Sequence, residues 1–141
     1  MTGSKRIVII SCGKQKLTCP ALARELYTGL YFKATLGYAL TIAPVENIFV
    51  LSAKYGLVRL DDRLKPYDLK MGEAGSVTCQ KVLRQAERMG IAGRSVVALG
   101  GSRYVRIIRS LWSSVETPLD GKGGLFRQIA WLRKQTKETD R

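Results

Sequence analysis

Short apolar runs alternate along the chain with longer segments of helical periodicity. Three of the runs are rich in β-branched residues and end in glycine or small polar residues, which is typical of buried strands; they lie at 5–11, 47–53 and 95–99. Apolar residues at helical spacing predict helices at 21–38, 77–89, 102–111 and 125–135. Gly29 weakens the first of these, so a break is expected near 27–29. Short strands are expected at 57–60 and 115–119.

The order of these elements indicates the fold class. Strands and helices alternate, as they do in an α/β sandwich with a mostly parallel sheet. We therefore expect a three-layer, Rossmann-like sandwich with a sheet of about four strands. The 141 residues suffice for a single domain, which we place at 1–135, followed by a frayed charged tail at 136–141. Ser76 and Ser102 are the expected N-caps of the helices that follow them.

The charge of the chain points to a polyanionic partner. There are 24 Lys and Arg residues against 11 Asp and Glu residues, which gives a net charge of +13. Release of counterions makes nucleic acid the default partner of so basic a domain, with a nucleotide as the smaller alternative. A nucleic-acid track is predicted on the outward face of one helix, at Arg103, Arg106 and Arg109, together with Arg127. The alternative is that these arginines only form a solvated surface.

The composition also excludes several kinds of chemistry. The chain has no histidine and only three scattered cysteines, which excludes Ser-His and Cys-His catalysis and the common zinc sites. No cofactor and no metal site are expected, magnesium held by carboxylates and phosphates excepted. No apolar run approaches the roughly 20 residues of a membrane helix, and no signal-peptide pattern is present. We therefore expect a cytoplasmic protein with no membrane partner.

Three predicted strands end in loops of similar composition. The carboxyl ends of parallel strands lie on one edge of a sheet, where open α/β folds bind ligands. Segments 11–14, 52–56 and 100–104 are therefore expected to converge in a common electropositive cavity. Small, hydroxyl and aromatic residues of these loops are the expected ligand or phosphate contacts: Ser11, Gly13, Ser52, Tyr55, Gly56, Gly100, Gly101, Ser102 and Tyr104. Two glycines before a helix suit an anion, although a tight turn needs the same residues.

Candidate catalytic groups lie in these loops and in the acidic segment after the second strand. Cys12 is a candidate nucleophile or a small buried filler. Lys14 and Lys54 are candidates for holding phosphate or forming an imine. Asp61 and Asp68 are candidates for a general base or for stabilising a sugar cation. Turn formation and ion pairing with Arg59, Arg63 or Lys65 are the alternative for both carboxylates.

Five short motifs, in this order, resemble the YaaA family. They are Ser11 to Lys14, Tyr27-Thr28-Gly29-Leu30, Leu51-Ser52 with Tyr55-Gly56, Leu60-Asp61, and Pro66-Tyr67 with Leu69, Met71 and Gly72. The chain is similar still more closely to small uncharacterised bacterial and phage proteins that share the Ser-Cys-Gly-Lys and Ser-Ala-Lys-Tyr-Gly motifs. The resemblance covers residues 7 to about 105, and it adds Thr28 to the expected ligand contacts.

The resemblance to YaaA implies an α/β core, affinity for DNA rather than RNA, and an association with peroxide stress. YaaA proteins are much longer and carry a helix-hairpin-helix DNA-binding element between the first motif and the Tyr-Thr-Gly motif. Only residues 15–26 separate those motifs in this chain, too few for that element. The YaaA mode of DNA binding therefore does not carry over, whereas the pocket at the strand ends does.

The leading hypothesis is a nucleic-acid-associated enzyme that acts on a nucleotide or nucleobase, by cleaving an N-glycosidic bond or exchanging the base. Carboxylate and lysine chemistry can cleave such a bond without histidine or metal. Tyr55 or Tyr67 would stack on the base, unless these rings serve packing. The alternatives are a non-catalytic DNA-binding protein of the YaaA type and a small nucleotide-binding domain.

Overall fold

The computed structural model describes residues 6–139. In chain order the elements are β1 (Ile7–Ser11), β2 (Ala21–Leu22), α1 (Ala23–Leu26), α2 (Leu30–Ile42), a 3₁₀ turn (Val45–Asn47), β3 (Ile48–Ser52), β4 (Gly56–Arg59), β5 (Arg63–Leu64), α3 (Cys79–Arg88), β6 (Val96–Leu99), α4 (Ser102–Leu111), β7 (Val115–Glu116) and α5 (Leu125–Thr139). The division of the first helical segment at 27–29 confirms the predicted break. Lys5, the predicted start of the first strand, lies outside the described residues.

The central sheet has five strands in the order β4-β3-β1-β6-β7. β1 pairs in parallel with β3 and β6, so that Val8 lies opposite both Ile48 and Val97. β7 is also parallel, and β4 alone is antiparallel, as the second arm of a hairpin with β3. The predicted α/β class and mostly parallel sheet are confirmed, with five strands instead of about four.

Helices cover both faces of this sheet. Every residue of β1, β3 and β6 is buried, as expected for strands enclosed on two sides. α2 packs on β1 and on α5, where the Tyr31 hydroxyl donates to Gln128 at 2.7 Å and the rings of Tyr38 and Trp131 lie 5.5 Å apart. α3 and α4 contact each other and pack on β4 and β6. With right-handed crossovers, this arrangement is the expected three-layer sandwich.

A second, two-stranded sheet was not predicted. β2 and β5 pair antiparallel, with Ala21 opposite Leu64, and each strand has only two residues, too few for an alternating pattern to show in the sequence. The backbone N–H of Arg24 also donates to the carbonyl of Leu60 at 3.0 Å. These bonds hold the long loop after β4 against the segment that leads into α1.

Both predicted serine caps are wrong. The hydroxyl of Thr78, not that of Ser76, accepts a hydrogen bond from the backbone N–H of Lys81, at 3.1 Å. The Ser76 hydroxyl is engaged in the preceding turn instead. Gly101 is the N-cap of α4 and Ser102 is its first helical residue, with no side-chain capping bond. Gly101 has extended backbone, and its carbonyl accepts the backbone N–H groups of Tyr104 and Val105.

α5 is longer than its apolar pattern indicated. It continues to Thr139, past the expected end at 135, and the fully buried Leu132 anchors its second half to the core. The helix thus enters the segment expected to be a frayed tail, whose last two residues lie outside the described part of the chain. Like the other helices within residues 6–139, α5 lacks the length and apolar character needed to cross a membrane.

Candidate functional site

The topology of the sheet creates a crevice between the carboxyl ends of β1 and β6. The chain leaves β1 towards β3 on one side and leaves β6 towards β7 on the other. Two neighbouring strands whose connections diverge in this way form the switch point at which open α/β sheets bind ligands. The Sγ of Cys12, directly after β1, lies 3.1 Å from the hydroxyl of Tyr104, in the first turn of α4. These two side chains therefore meet at the crevice.

A cavity of about 270 Å³ opens at this point, and we call it the cationic cavity. Its lining comes from the loop after β1, the loop before α3 and the start of α4: Cys12, Gly13, Lys14, Lys16, Asp68, Leu69, Lys70, Met71, Arg103 and Tyr104. Four cationic side chains thus surround one carboxylate. In the described part of the chain, no three Cys, Asp or Glu residues group closely enough to hold a metal ion.

A cluster of hydroxyl groups lies beside the cationic cavity, next to Lys16. The Tyr67 hydroxyl lies 2.7 Å from that of Tyr27 and 2.8 Å from the Ser52 Oγ. Ser52 Oγ in turn accepts the backbone N–H groups of Lys54 and Tyr55 at 3.2 and 3.0 Å. Burial is the main reason that the pKa of Tyr67 is raised and that of Tyr27 rises to about 12. Both hydroxyls are therefore neutral at physiological pH, and each can donate and accept a hydrogen bond within the cluster.

Lys16 lies above this cluster, and the sequence did not single it out. Its Nζ donates to the carbonyl oxygen of Lys14 at 3.1 Å and lies 4.3 Å from the centre of the Tyr67 ring. Partial burial lowers the pKa of Lys16, against opposing effects of Cys12 and Asp68. The one sequence signal that could have identified Lys16 is its position two residues after the predicted segment 11–14. Because Lys16 covers one face of the Tyr67 ring, that face is not open for stacking on a base. Tyr67 is therefore better suited to a packing role beside the site.

Cys12 and Tyr104 form a wall shared by the cationic cavity and a larger neighbouring groove. This apolar groove has a volume of about 520 Å³. Its apolar part is formed by Leu30, Tyr31, Phe32, Leu125, Phe126 and Ile129. Cys12 is 8% exposed, and burial raises the pKa of Tyr104. A ligand of the cationic cavity that extends past these two side chains would enter the apolar groove.

Two of the predicted ligand-binding glycines have a packing role. A Cβ atom at Gly100 would overlap the side chain of Ser11. The backbone of Gly100 therefore packs directly against the Ser11 side chain. Gly56, the first residue of β4 after the hairpin turn, has a φ of +77°. Gln85 closes this turn, since its side chain accepts from the N–H of Leu57 at 2.8 Å and donates to the carbonyl of Tyr55 at 2.9 Å. A side chain at position 56 would overlap Gln85.

The three predicted segments do not all line one cavity. Residues of segments 11–14 and 100–104 line the cationic cavity, whereas segment 52–56 contributes none of its lining and reaches only the adjacent hydroxyl cluster, through Ser52. Lys54 is exposed, with Nζ 5.5 Å from the centre of the Tyr55 ring, and it does not line the cationic cavity. The expected convergence of three loops is therefore wrong for segment 52–56, because the β3–β4 turn leaves Lys54 exposed outside the cavity.

The two candidate carboxylates lie in different places. Asp68 lines the cationic cavity. Asp61 forms an ion pair with Arg24 at 3.0 Å and lines a separate depression beside Asp62. Asp61 is thus ion-paired, as the alternative explanation required, but its partner is Arg24 and not one of the expected Arg59, Arg63 and Lys65. Thr28 is half-buried and its backbone N–H donates to the carbonyl of Gln15 at 2.9 Å.

The predicted arginine track is divided. Arg103 lines the cationic cavity and donates to the carbonyl of Met71 at 3.3 Å. Arg106 and Arg109 line a third concavity, of about 560 Å³, together with Gly101 and Ser102. Arg109 is paired there with Asp120 at 3.2 Å, and Arg127 lies exposed on α5.

The fold and the crevice define a Rossmann-like α/β protein whose switch point carries a cationic cavity. Residues 7–134 match the model of a family described as "Family of unknown function (DUF6884)". The match covers most of the chain, and the chain belongs to that family.

A curated relative is the UPF0246 protein Bxeno_A1262 of Paraburkholderia xenovorans (strain LB400). It is 28% identical over 130 residues, a match that includes 80% of this chain and 50% of the relative. The chain thus spans about half the length of that relative. UPF0246 is the family of YaaA, so the similarity supports a distant YaaA-like relation.

Proposed function

We propose that this protein is a nucleic-acid-associated enzyme that binds a nucleotide in the cationic cavity and cleaves or exchanges at its N-glycosidic bond. One observation carries the proposal: Asp68, Lys16 and Cys12 line the same cavity as three further cations. Cations recognise the phosphate groups of a nucleotide. A carboxylate stabilises the cationic sugar that develops when a glycosidic bond breaks. Both requirements are met in one space.

The exposed cations of the cavity supply the phosphate contacts in this proposal. Lys14, Lys70 and Arg103 are exposed lining residues. Arg103 donates one hydrogen bond to the carbonyl of Met71 and has four further N–H donors for a ligand. This bond also links α4 to the loop that carries Asp68, so phosphate and carboxylate contacts have a fixed relation to each other.

The apolar groove provides room for the base. It shares Cys12, Gly13, Lys14 and Tyr104 with the cationic cavity, so one ligand can occupy both. Apolar and aromatic walls with a few polar groups are typical of sites for ligands of this size. The sugar would then lie at the boundary between the two spaces, close to Cys12.

Release of free base tests the proposal. Mononucleotides and DNA oligomers are incubated with wild-type protein, Asp68→Asn and Asp61→Asn, and free base is measured by mass spectrometry. Asp61→Asn is the matched control, because Asp61 is paired with Arg24 outside the cavity. We expect release by wild type and Asp61→Asn, and a loss of about 100-fold or more in Asp68→Asn. No release from any substrate, or equal release by all three proteins, contradicts the proposal.

A second candidate is a non-catalytic DNA-binding protein. The net charge of +13 and the exposed Arg106 beside the amino end of α4 favour it, as does the similarity to a UPF0246 protein. Binding to duplex DNA would then fall steeply with salt. It would be weakened by Arg106→Ala and unaffected by Asp68→Asn.

A further inference from the structure

Lys16 differs from the other cations of the cationic cavity in how it is held. Lys14, Lys70 and Arg103 are exposed, whereas Lys16 is half-buried. An isolated antiparallel bridge pairs its backbone with that of Tyr27. The bonds on either side of this bridge, at 2.9 Å each, join the loop after β1 to the segment between α1 and α2. The side chain therefore enters the cavity from a fixed point.

The Lys16 amine is held in the cavity without an ion pair. Its neighbours are the carbonyl of Lys14 and the rings of Tyr67 and Tyr27. Cys12 and Asp68 favour its charged form, but burial is the larger effect, and no ion pair of Lys16 occurs among the described residues. Partial burial lowers its pKa. Lysines that are partly desolvated in this way form Schiff bases, because more of the amine is unprotonated.

We propose that Lys16 is the nucleophile of the site and forms a covalent imine with C1′ of the bound sugar. The inference rests on the proposed function and deepens it, since it names the attacking atom, Nζ. It also restricts the substrate to N-glycosides of ribose or deoxyribose, whose C1′ has the oxidation level of an aldehyde. Asp68 lies in the same cavity and is the proton carrier.

The reaction balances without an added oxidant or reductant. The Nζ lone pair forms a bond to C1′ while the bond from C1′ to the base breaks, and the base leaves with that electron pair. Asp68 takes a proton from the new secondary ammonium group and passes it to the departing base. The nitrogen lone pair then opens the sugar ring, O4′ takes a proton from solvent, and a C1′ iminium results. Addition of water to C1′ expels the lysine amine, returns one proton to solvent and releases the sugar.

Reductive trapping tests this step. The protein is incubated with a DNA oligomer that carries one abasic site, in the presence of sodium cyanoborohydride, which converts an imine into a stable amine. Tryptic peptides are then mapped by mass spectrometry. We expect the sugar adduct on Lys16 at least ten times more often than on any other lysine, Lys14 included. An adduct on Lys16 also blocks cleavage by trypsin after that residue.

Two arginine variants separate reactivity from charge. Lys16→Arg keeps a cation but cannot form an imine, and Lys54→Arg is the matched control outside the cavity. We expect Lys16→Arg to lose at least 90% of the adduct and Lys54→Arg to keep it. Thermal unfolding of both variants tests whether either has a folding defect. The adduct map of the wild type tests the proposal even if a variant fails to fold.

The outcomes distinguish this inference from the proposed function. Base release by wild type with adducts spread evenly over the lysines overturns the imine and leaves the glycosidic function standing, with Lys16 as a phosphate contact. Equal trapping by Lys16→Arg and wild type overturns it as well. An adduct confined to Lys16 without base release from any intact nucleotide supports the reactive lysine and contradicts the proposed function.

Discussion

The thiol of Cys12 and the hydroxyl of Tyr104 lie 3.1 Å apart and join the loop after β1 to the first turn of α4, the helix that follows β6. These two segments follow neighbouring parallel strands whose connections run in opposite directions. The contact therefore marks the switch point of the sheet, and the cationic cavity and the apolar groove open on its two sides.

The three cysteines are predicted to react at different rates. Cys12 is buried, whereas Cys19 and Cys79 are exposed. Alkylation of native protein with iodoacetamide, followed by peptide mapping, should label Cys12 roughly tenfold more slowly than the other two. Tyr104→Phe removes the partner of the thiol and should speed the labelling of Cys12 alone. Labelling of Cys12 as fast as Cys79 would show that the thiol is not enclosed.

Replacement of Gly100 should destabilise the protein. Alanine at this position places a methyl group against the side chain of Ser11, and overpacking of this kind costs about 1–3 kcal/mol. Gly101→Ala is the matched control, because a Cβ there meets open space. Urea unfolding measures the difference. Equal stability of the two variants would mean that the approach of Ser11 to Gly100 is not tight.

Gln85 is predicted to stabilise the β3–β4 hairpin. It hydrogen-bonds the backbone of Tyr55 and Leu57, so Gln85→Ala leaves a donor and an acceptor without partners and should cost about 1–3 kcal/mol. Gln80→Ala, on the exposed side of the same helix, should change the free energy of unfolding by less than about 0.5 kcal/mol. If Gln85→Ala changed the free energy of unfolding as little as Gln80→Ala, the hydrogen bonds of Gln85 would not stabilise the hairpin.

Tyrosine ionisation should make the protein less stable at high pH. Burial raises the pKa of Tyr27 and of Tyr31 to about 12 from 10.0. Below pH 10 neither state is ionised, and above it the unfolded state loses protons first. Stability is therefore complete well below pH 10 and falls as the pH rises towards 12, by on the order of 2–3 kcal/mol for the buried Tyr27 and by less for the partly exposed Tyr31, whose phenolate solvent screens.

Two measurements check this pH dependence. Absorbance at 295 nm should show phenolate forming at a higher pH in native protein than in protein unfolded by urea. The free energy of unfolding of Tyr27→Phe should fall less between pH 10 and 12 than that of the wild type. Coincident titrations of native and unfolded protein would contradict the burial of these hydroxyls.

The sequence predicted the fold better than the details of the site. Buried strands with loops at their carboxyl ends follow directly from apolar runs and glycines, which is why Cys12, Lys14 and Tyr104 could be placed at one edge. Asp61 and Asp68 could not be told apart, because both lie in one acidic loop and only the unpredicted sheet of β2 and β5 separates them.

The residues that the sequence missed depend on long-range contacts. Lys16 is distinguished by the backbone bridge to Tyr27 and by the ring of Tyr67, and neither contact leaves a local pattern. The prediction for Lys54 was wrong because its neighbours in sequence have the composition of a ligand-binding loop. In the structure they form a hairpin turn that leaves Lys54 exposed. Local composition locates loops, whereas tertiary contacts decide which side chains line the cavity.

A crystal structure of the protein soaked with a mononucleotide tests the central claim most directly. We predict electron density for the phosphate among Lys14, Lys70 and Arg103, with C1′ of the sugar turned towards Lys16 and Asp68. Density in the third concavity beside Arg106, with the cationic cavity empty, would contradict it.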